Sequence, residues 1–299
     1  MKRFPIINFK EIFTKTISSF RNSRPIALII AKLAALFLTI ILLISVVHPL
    51  IKPPEKLGYY GDSSAAESIS ISSASVDPTT VQRLADAQNI NSEAVAWIKI
   101  DNTNIDYVVM QEPKSTGDNS YYLKKNIYRK YDYYGSIFAN FRNNVSDGIE
   151  NFDKNTIIYG HNMGSGNTKM FGHLEKYKKL DFVSENQFIY LTIPNEQLTF
   201  KIFATFLTDS YFPYTNINPD EEQFNSIVSG ARARSFFNID TPVSTDDKIL
   251  TLSTCTYEYG YPTNVRFVIM AKLVTDKSEL SLSPVTKNTN RILPKVVKG

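Results

Sequence analysis

Cysteine is almost absent from this chain of 299 residues: Cys255 stands alone. With no second thiol, no intramolecular disulfide can form. The fold must therefore rest on its own core in any oxidising compartment, which a large domain can manage. Glycine is sparse at 12 residues, and no Gly-rich phosphate loop, internal repeat or metal-spaced cluster stands out. Excess charge is also lacking over most of the length. The net charge is +4, but Lys2, Arg3, Lys10, Lys15, Arg21 and Arg24 face only Glu11 in the first 25 positions. The rest is near neutral, so the basic footprint of a nucleic-acid binder is missing. A lone thiol is either an inert buried side chain or a reactive one, and its surroundings decide which.

Long apolar runs are missing too, except in one place. From Leu33 to Ile51 there is no formally charged residue, and 26–31 is apolar as well. A bilayer core needs roughly 20 such residues, so 26–51 is expected to be a transmembrane anchor in contact with membrane lipid. The basic segment 1–25 precedes it, which places the N-terminus in the cytoplasm and the remainder outside the cell. A cleaved signal peptide is the rival reading, but the stretch is long for one and no A-x-A-like site closely follows. Residues 52–79 read as a flexible linker, opening with Pro53-Pro54 and holding seven serines between Ser63 and Ser75. A coil of that length spans roughly 30 Å on average. Residues 276–299 read as a polar tail.

The domain between them, 80–275, opens with a helical pattern over 79–89 and a second turn beginning near Asn91 as a cap. Short strands follow, at 95–100, 105–109, 136–139, 156–159, 187–193, 198–207, 248–253 and 265–273. Helical patterns fall at 170–178 and 220–236. Aromatic residues make up 12%, with 17 Tyr and 19 Phe, which suits pleated surfaces. Eight alternating strands predict a mainly β fold, a closed barrel in preference to a parallel α/β sheet. In the strand 198–207, Leu198, Phe200, Ile202, Ala204 and Phe206 are expected on one face.

Cys255 ends a strand in which Leu250 and Leu252 point one way and Thr251, Ser253 and Cys255 the other, out of phase with the core. Arg266 opens the next strand, opposite in phase to Phe267, Ile269, Ala271 and Leu273. Pairing of these two strands would bring thiol and guanidinium to one end, where Arg can donate to a developing oxyanion. The bland alternative is a solvated strand-edge Arg. Of three histidines, His48 lies in the apolar run and His173 in a helical segment suited to a surface role. His161 follows the strand 156–159 in a Gly-His turn that presents its imidazole at a rim. A thiol nucleophile needs such a partner to favour the thiolate and protonate the leaving amine.

Taken together, Thr251-Leu252-Ser253-Thr254-Cys255, Tyr159-Gly160-His161-Asn162-Met163 and Arg266 eleven residues after the cysteine resemble the sortase active-site set. Trp97-Ile98-Lys99-Ile100, Ile105-Asp106-Tyr107-Val108-Val109, Asp118-Asn119-Ser120-Tyr121-Tyr122-Leu123 and the long helix before the cysteine strand are similar to class B of that family. The resemblance covers roughly 80–275. It implies an eight-stranded sortase-type barrel of a Gram-positive bacterium, preceded by helices, that needs no metal or cofactor. Cys255 would attack a C-terminal sorting signal in a secreted protein to give a thioester, with His161 as acid and base and Arg266 as stabiliser. The acceptor would be an amine of a peptidoglycan precursor or a pilin. Ser253, Tyr159, Asn119 and Leu123 match substrate-groove positions, and the helix 220–236 should wall that groove. Thr256 follows the cysteine where some members carry an acid, and Glu258 flanks it without support for a role.

Rival readings differ in visible ways. An L,D-transpeptidase places Gly before its cysteine and its His much nearer in sequence, whereas Thr254 precedes Cys255 here and His161 lies 94 positions upstream. A papain-like protease has Cys before His. A membrane-tethered adhesion or scaffold module would leave Cys255 without a role.

Overall fold

The computed structural model describes residues 77–298 apart from 116, 146, 147, 165 and 195. Among them, no helix is long and apolar enough to cross a membrane. The apolar run 26–51 and almost all of the 52–79 linker lie outside the described residues.

Helix α1 (Pro78–Ile90) starts where Asp77 accepts from the Thr79 amide and Pro78 supplies a preset φ. Its buried Leu84 and Ala87 pack on Trp97, Val108 and Met110. Asn91 opens the expected turn, its carbonyl accepting from the Ala94 amide at 2.9 Å and its Oδ1 from the Glu93 amide at 3.1 Å. It is the C-cap of α1, its amide donating to Ala87 O and its side chain donating to Tyr122 Oη and Ile127 O. These partners hold Asn91 extended, and after the turn at 92–93 the chain enters the first strand.

Eight strands close a barrel: β1 (Ala94–Lys99), β2 (Asp106–Met110), β3 (Ile137–Ala139), β4 (Asn155–Tyr159), β5 (Phe188–Ile193), β6 (Glu196–Thr208), β8 (Ile249–Cys255) and β9 (Arg266–Leu273). Their order around the wall is β1-β2-β3-β4-β8-β9-β6-β5. The β2–β3 and β4–β8 pairs are parallel and the other pairs antiparallel. Every strand expected from the sequence is present and lies in this wall. Closure leaves no free sheet edge, and the interior is filled by side chains such as Ile98, Val109, Ile158, Phe200, Leu250, Leu252 and Ile269.

The expected phase of β6 holds only as far as Ile202. Ile202 pairs with Ala271 and Ala204 with Met270, so Phe203 is an extra residue and the ladder bulges there. A bulge shifts the side-chain period by one. Leu198, Phe200 and Ile202 therefore face the barrel interior with Leu207, whereas Phe203, Ala204 and Phe206 face outward. That outer face is covered by α3 (Glu221–Arg234), whose Phe224, Ile227, Val228 and Ala231 also meet Val268 and Met270 of β9. Asp220 and Gln223 cap α3 reciprocally.

The helical pattern at 170–178 is a 3-10 helix, Gly172–Lys178, leading into α2 (Leu180–Glu185). The polar segment after 275 lies along the domain. Its β10 (Val285–Lys287) pairs with β7 (Phe237–Ile239), and further on the Ile292 amide donates to Ala233 O and the Lys295 amide to Asp209 Oδ2.

Candidate active site

Cys255 and Arg266 are register partners across antiparallel β8 and β9. On the other side of β8, parallel β4 pairs Tyr159 with Ser253. Two residues beyond that pair, His161 and Cys255 leave the same end of neighbouring strands. Three cross-links keep the departing segments together: the Gly160 amide donates to Ser253 O (3.3 Å), Thr254 Oγ1 to Gly160 O (2.7 Å) and Asn162 Nδ2 to Cys255 O (3.2 Å). Imidazole, thiol and guanidinium thus occupy adjacent positions along one rim, and all three residues are partly exposed. Leu250 and Leu252 point into the core, as the phase of β8 requires, while Thr251 and Ser253 lie on the opposite face with Cys255.

Gly160 makes this turn possible. A Cβ on it would meet the Phe171 ring at 2.8 Å, so only glycine lets the strand end pack so closely before His161. The Phe171 amide donates to His161 O at 2.9 Å and fixes the backbone. His161 Nε2 lies 2.7 Å from the carbonyl of Leu123, in the 3-10 helix Tyr121–Lys124. A carbonyl only accepts, so Nε2 carries a proton, and Nδ1 is the basic nitrogen of the neutral ring. Leu123, expected as a groove residue, thereby orients the imidazole through its backbone.

Arg266 is held by its own loop. Nη1 donates to Thr263 O (3.0 Å) and Val265 O (2.9 Å), and the remaining donors belong to Nη2 and Nε. Asn119 accepts from the Phe141 amide at 2.9 Å through Oδ1. Tyr159 receives a bond from Asn140 Nδ2 on its hydroxyl (3.1 Å), and burial pushes its pKa up. Ser253 is buried beneath the rim, its Oγ 3.0 Å from Tyr214 Oη. Burial pushes Tyr214 up to about 12, with the Ser253 bond acting the other way. His173, set aside from the sequence, accepts the Asn104 amide at 2.8 Å on Nδ1, and burial depresses its pKa. It lines a cleft together with Asn162 and Thr256.

Asn162 and Tyr214 escaped notice in the sequence. Asn162 sits inside the His161 motif and could have been picked out there as the link between β4 and β8. Tyr214 lies in an irregular stretch far from either motif, and no sequence pattern marks it.

A closed eight-stranded β-barrel that gathers a thiol, an imidazole and a guanidinium at the ends of three adjoining strands defines a class of cysteine-based enzyme. Residues 98–274 match the sortase domain family. The chain is 36% identical over 217 residues to sortase B of Listeria monocytogenes, covering 72% of this chain and 83% of that protein. The Staphylococcus aureus sortase B–substrate complex superposes with a TM-score of 0.57 at 28% identity, covering 65% of this chain and 86% of that one. A sortase B solved in complex with triglycine gives a TM-score of 0.57 at 28% identity, with 65% and 86% covered. The chain belongs to the sortase family, cysteine transpeptidases, and within it to class B.

Proposed function

We propose that the protein is anchored in the cell membrane by 26–51, with its barrel outside the cell. There it cleaves a C-terminal sorting signal in secreted proteins and passes the acyl group to a primary amine of a peptidoglycan precursor or a pilin. The observation that carries this reading is the row His161–Cys255–Arg266, set by the Tyr159–Ser253 and Cys255–Arg266 registers. In it, Cys255 is the nucleophile. The Cys255 thiol gives its proton to Nδ1 of His161, its sulfur bonds to the signal's carbonyl carbon, the C–N bond breaks, and His161 passes that proton to the departing amine. The remaining Arg266 donors meet the oxyanion of the tetrahedral intermediate. The covalent thioester divides one amide exchange into two easier acyl transfers. Relatives solved with a substrate and with triglycine support a peptide donor and an amine acceptor in turn.

Incubating the protein with a library of candidate signal peptides tests the reading, with mass spectrometry of the intact chain as the readout. A signal-dependent adduct on Cys255, absent from Cys255→Ala, is expected and names the signal. If no peptide acylates Cys255, a membrane-tethered scaffold becomes the better account.

A further inference from the structure

The polar segment that follows β10 runs along the domain and ends beside Arg266. It is fastened first just past the end of α3. There the Asn288 amide donates to Phe236 O and its Nδ2 to Ser235 O, both at 3.0 Å. Arg291 stacks its guanidinium on the Phe236 ring at 4.4 Å, and the Ile292 amide donates to Ala233 O at 2.8 Å. Two further anchors follow. Lys295 donates its amide to Oδ2 of the buried Asp209 at 2.6 Å. Asn264 holds the tail through three groups: its amide donates to Val297 O (3.2 Å), its Oδ1 accepts the Val297 amide (2.8 Å), and its Nδ2 donates to Lys295 O (3.1 Å). Thr263 and Lys298 add an antiparallel bridge.

Both anchors flank Arg266. On β6, Thr208 is the register partner of Arg266, and Asp209 is the next residue. On β9's own side, Thr263 and Asn264 lead into Val265 and Arg266, and Arg266 Nη1 donates to the carbonyls of Thr263 (3.0 Å) and Val265 (2.9 Å). The Thr263 carbonyl that fixes the guanidinium therefore belongs to a residue that the tail pairs with. Apolar burial does not explain why the tail docks here, because Leu293 is 58% and Val297 50% exposed. Hydrogen bonds carry the attachment, and beyond Ile292 they fall on the two segments around Arg266. The loop before Thr263 is largely exposed at Tyr257, Glu258, Gly260, Tyr261 and Pro262, so a clamp at its end restricts a stretch with little packing of its own.

We propose that residues 295–298 clamp the Thr263–Asn264 segment, and that Asn264 and Asp209 are positioning residues that set the Arg266 guanidinium for the oxyanion formed at Cys255. This rests on the transpeptidase reading given above. Neither residue touches the reacting atoms. Asn264 acts through the neighbouring Thr263 carbonyl, and Asp209 holds the tail from the β6 side. A displaced Thr263 carbonyl would turn the guanidinium plane away from the intermediate, and misplacement of about 1 Å by a change far from the chemistry can cost about 10²-fold in rate.

The test compares the full-length protein with the same chain ended after Leu293. The shortened chain keeps β10, the Arg291 stack and the Ile292 bond, and loses only the contacts to Asp209, Thr263 and Asn264. Its kcat for acylation should fall about tenfold with KM within about twofold, because the lost alignment matters only in the transition state. Asn264→Ala in the full-length chain should give a similar fall, and joining the two changes should add little more. In an Arg266→Lys background, shortening should cost less than about twofold, since the group being positioned is already gone. An unchanged kcat, a loss that falls on KM, or an equal loss in the Arg266→Lys background overturns the proposal. The NMR resonance of the Arg266 Nε–H reads the clamp without turnover. It should shift when the chain is shortened, and a resonance that stays in place overturns the proposal as well. Failure of the full-length protein to be acylated counts against the transpeptidase reading alone, and the Arg266 resonance then still decides whether the tail sets the guanidinium.

Discussion

Tyr159 and Ser253 face each other across the parallel strands β4 and β8, and this pairing sets where the imidazole and the thiol emerge. Each functional residue lies two positions further on, so both leave at the same level of the wall. Had the register slipped by one, one of the two side chains would have turned into the barrel. The registry is reinforced by Thr254 Oγ1 donating to Gly160 O, a buried bond between the two motifs themselves.

The simplest consequence concerns the thiol. Cys255→Ala should lower acylation by about 10³-fold or more, since no other group can carry the acyl chain. Cys255 is partly exposed at a strand end, so the change should leave stability within about 0.5 kcal/mol of the parent. Parallel peptide-turnover and thermal-unfolding measurements check both halves. Retained turnover in a folded Cys255→Ala protein would contradict the assignment.

Gly135 controls the imidazole at one remove. It adopts φ +60°, and a Cβ on it would collide with the carbonyl of Leu123, the acceptor for His161 Nε2. Gly135→Ala should therefore destabilise by about 1–3 kcal/mol through backbone strain. It should also displace the carbonyl, lowering acylation about tenfold or more and moving its pH profile. A comparably destabilising change far from the site, Ile239→Ala, should leave the profile where it was. Matching profiles in the two variants would mean that Leu123 does not orient His161.

Much of this was legible in the sequence because the strands are short and alternate cleanly. All eight strands of the wall could be read from period-2 patterns, and the phase of Leu250 and Leu252 already set Cys255 off the core. Three things were not legible, each for a physical reason. The bulge at Phe203 has no signature, since an aromatic is equally at home on either face of a wall covered by α3. Asn91 opens the expected turn, but its amide also closes α1 on Ala87 O while its side chain reaches Tyr122 and Ile127, partners more than 30 residues away that no local pattern reveals. The strand β10 is short and polar, with Thr286 and Lys287 both exposed, so nothing in its composition announces pairing with β7.

Alkaline pH should unfold the domain through its tyrosines. Burial raises the pKa values of Tyr107, Tyr122, Tyr159 and Tyr177, and pushes Tyr190 and Tyr214 up to about 12. The unfolded chain loses these protons near pH 10. Above that pH the folded state holds more protons than the unfolded one, so stability is fully present below about pH 10 and falls as pH rises toward 12. Denaturant titrations at pH 8, 10 and 11 should give a falling midpoint over that interval. Tyr214→Phe should flatten the fall, at a cost of about 1–2 kcal/mol at pH 8 because Ser253 Oγ loses its buried partner. A midpoint that is level to pH 11 would refute the linkage.

Arg266 separates two roles that its position allows, stabilising an oxyanion or anchoring the signal peptide. Its Nη1 is already occupied by Thr263 O and Val265 O, so the guanidinium plane is fixed by its own loop before substrate arrives. A group preset in this way suits charge that appears only in the transition state, because no reorganisation is then required. Lysine keeps the charge but offers one nitrogen on a flexible stem, and it cannot both hold the loop carbonyls and reach the intermediate. Arg266→Lys should therefore lower kcat for acylation by about 10²–10³-fold with little change in KM, the signature of an interaction made only in the transition state. If the loss instead fell mainly on KM, with kcat preserved, the guanidinium would be an anchor for the bound peptide, and the oxyanion would have to be stabilised by other donors at the rim.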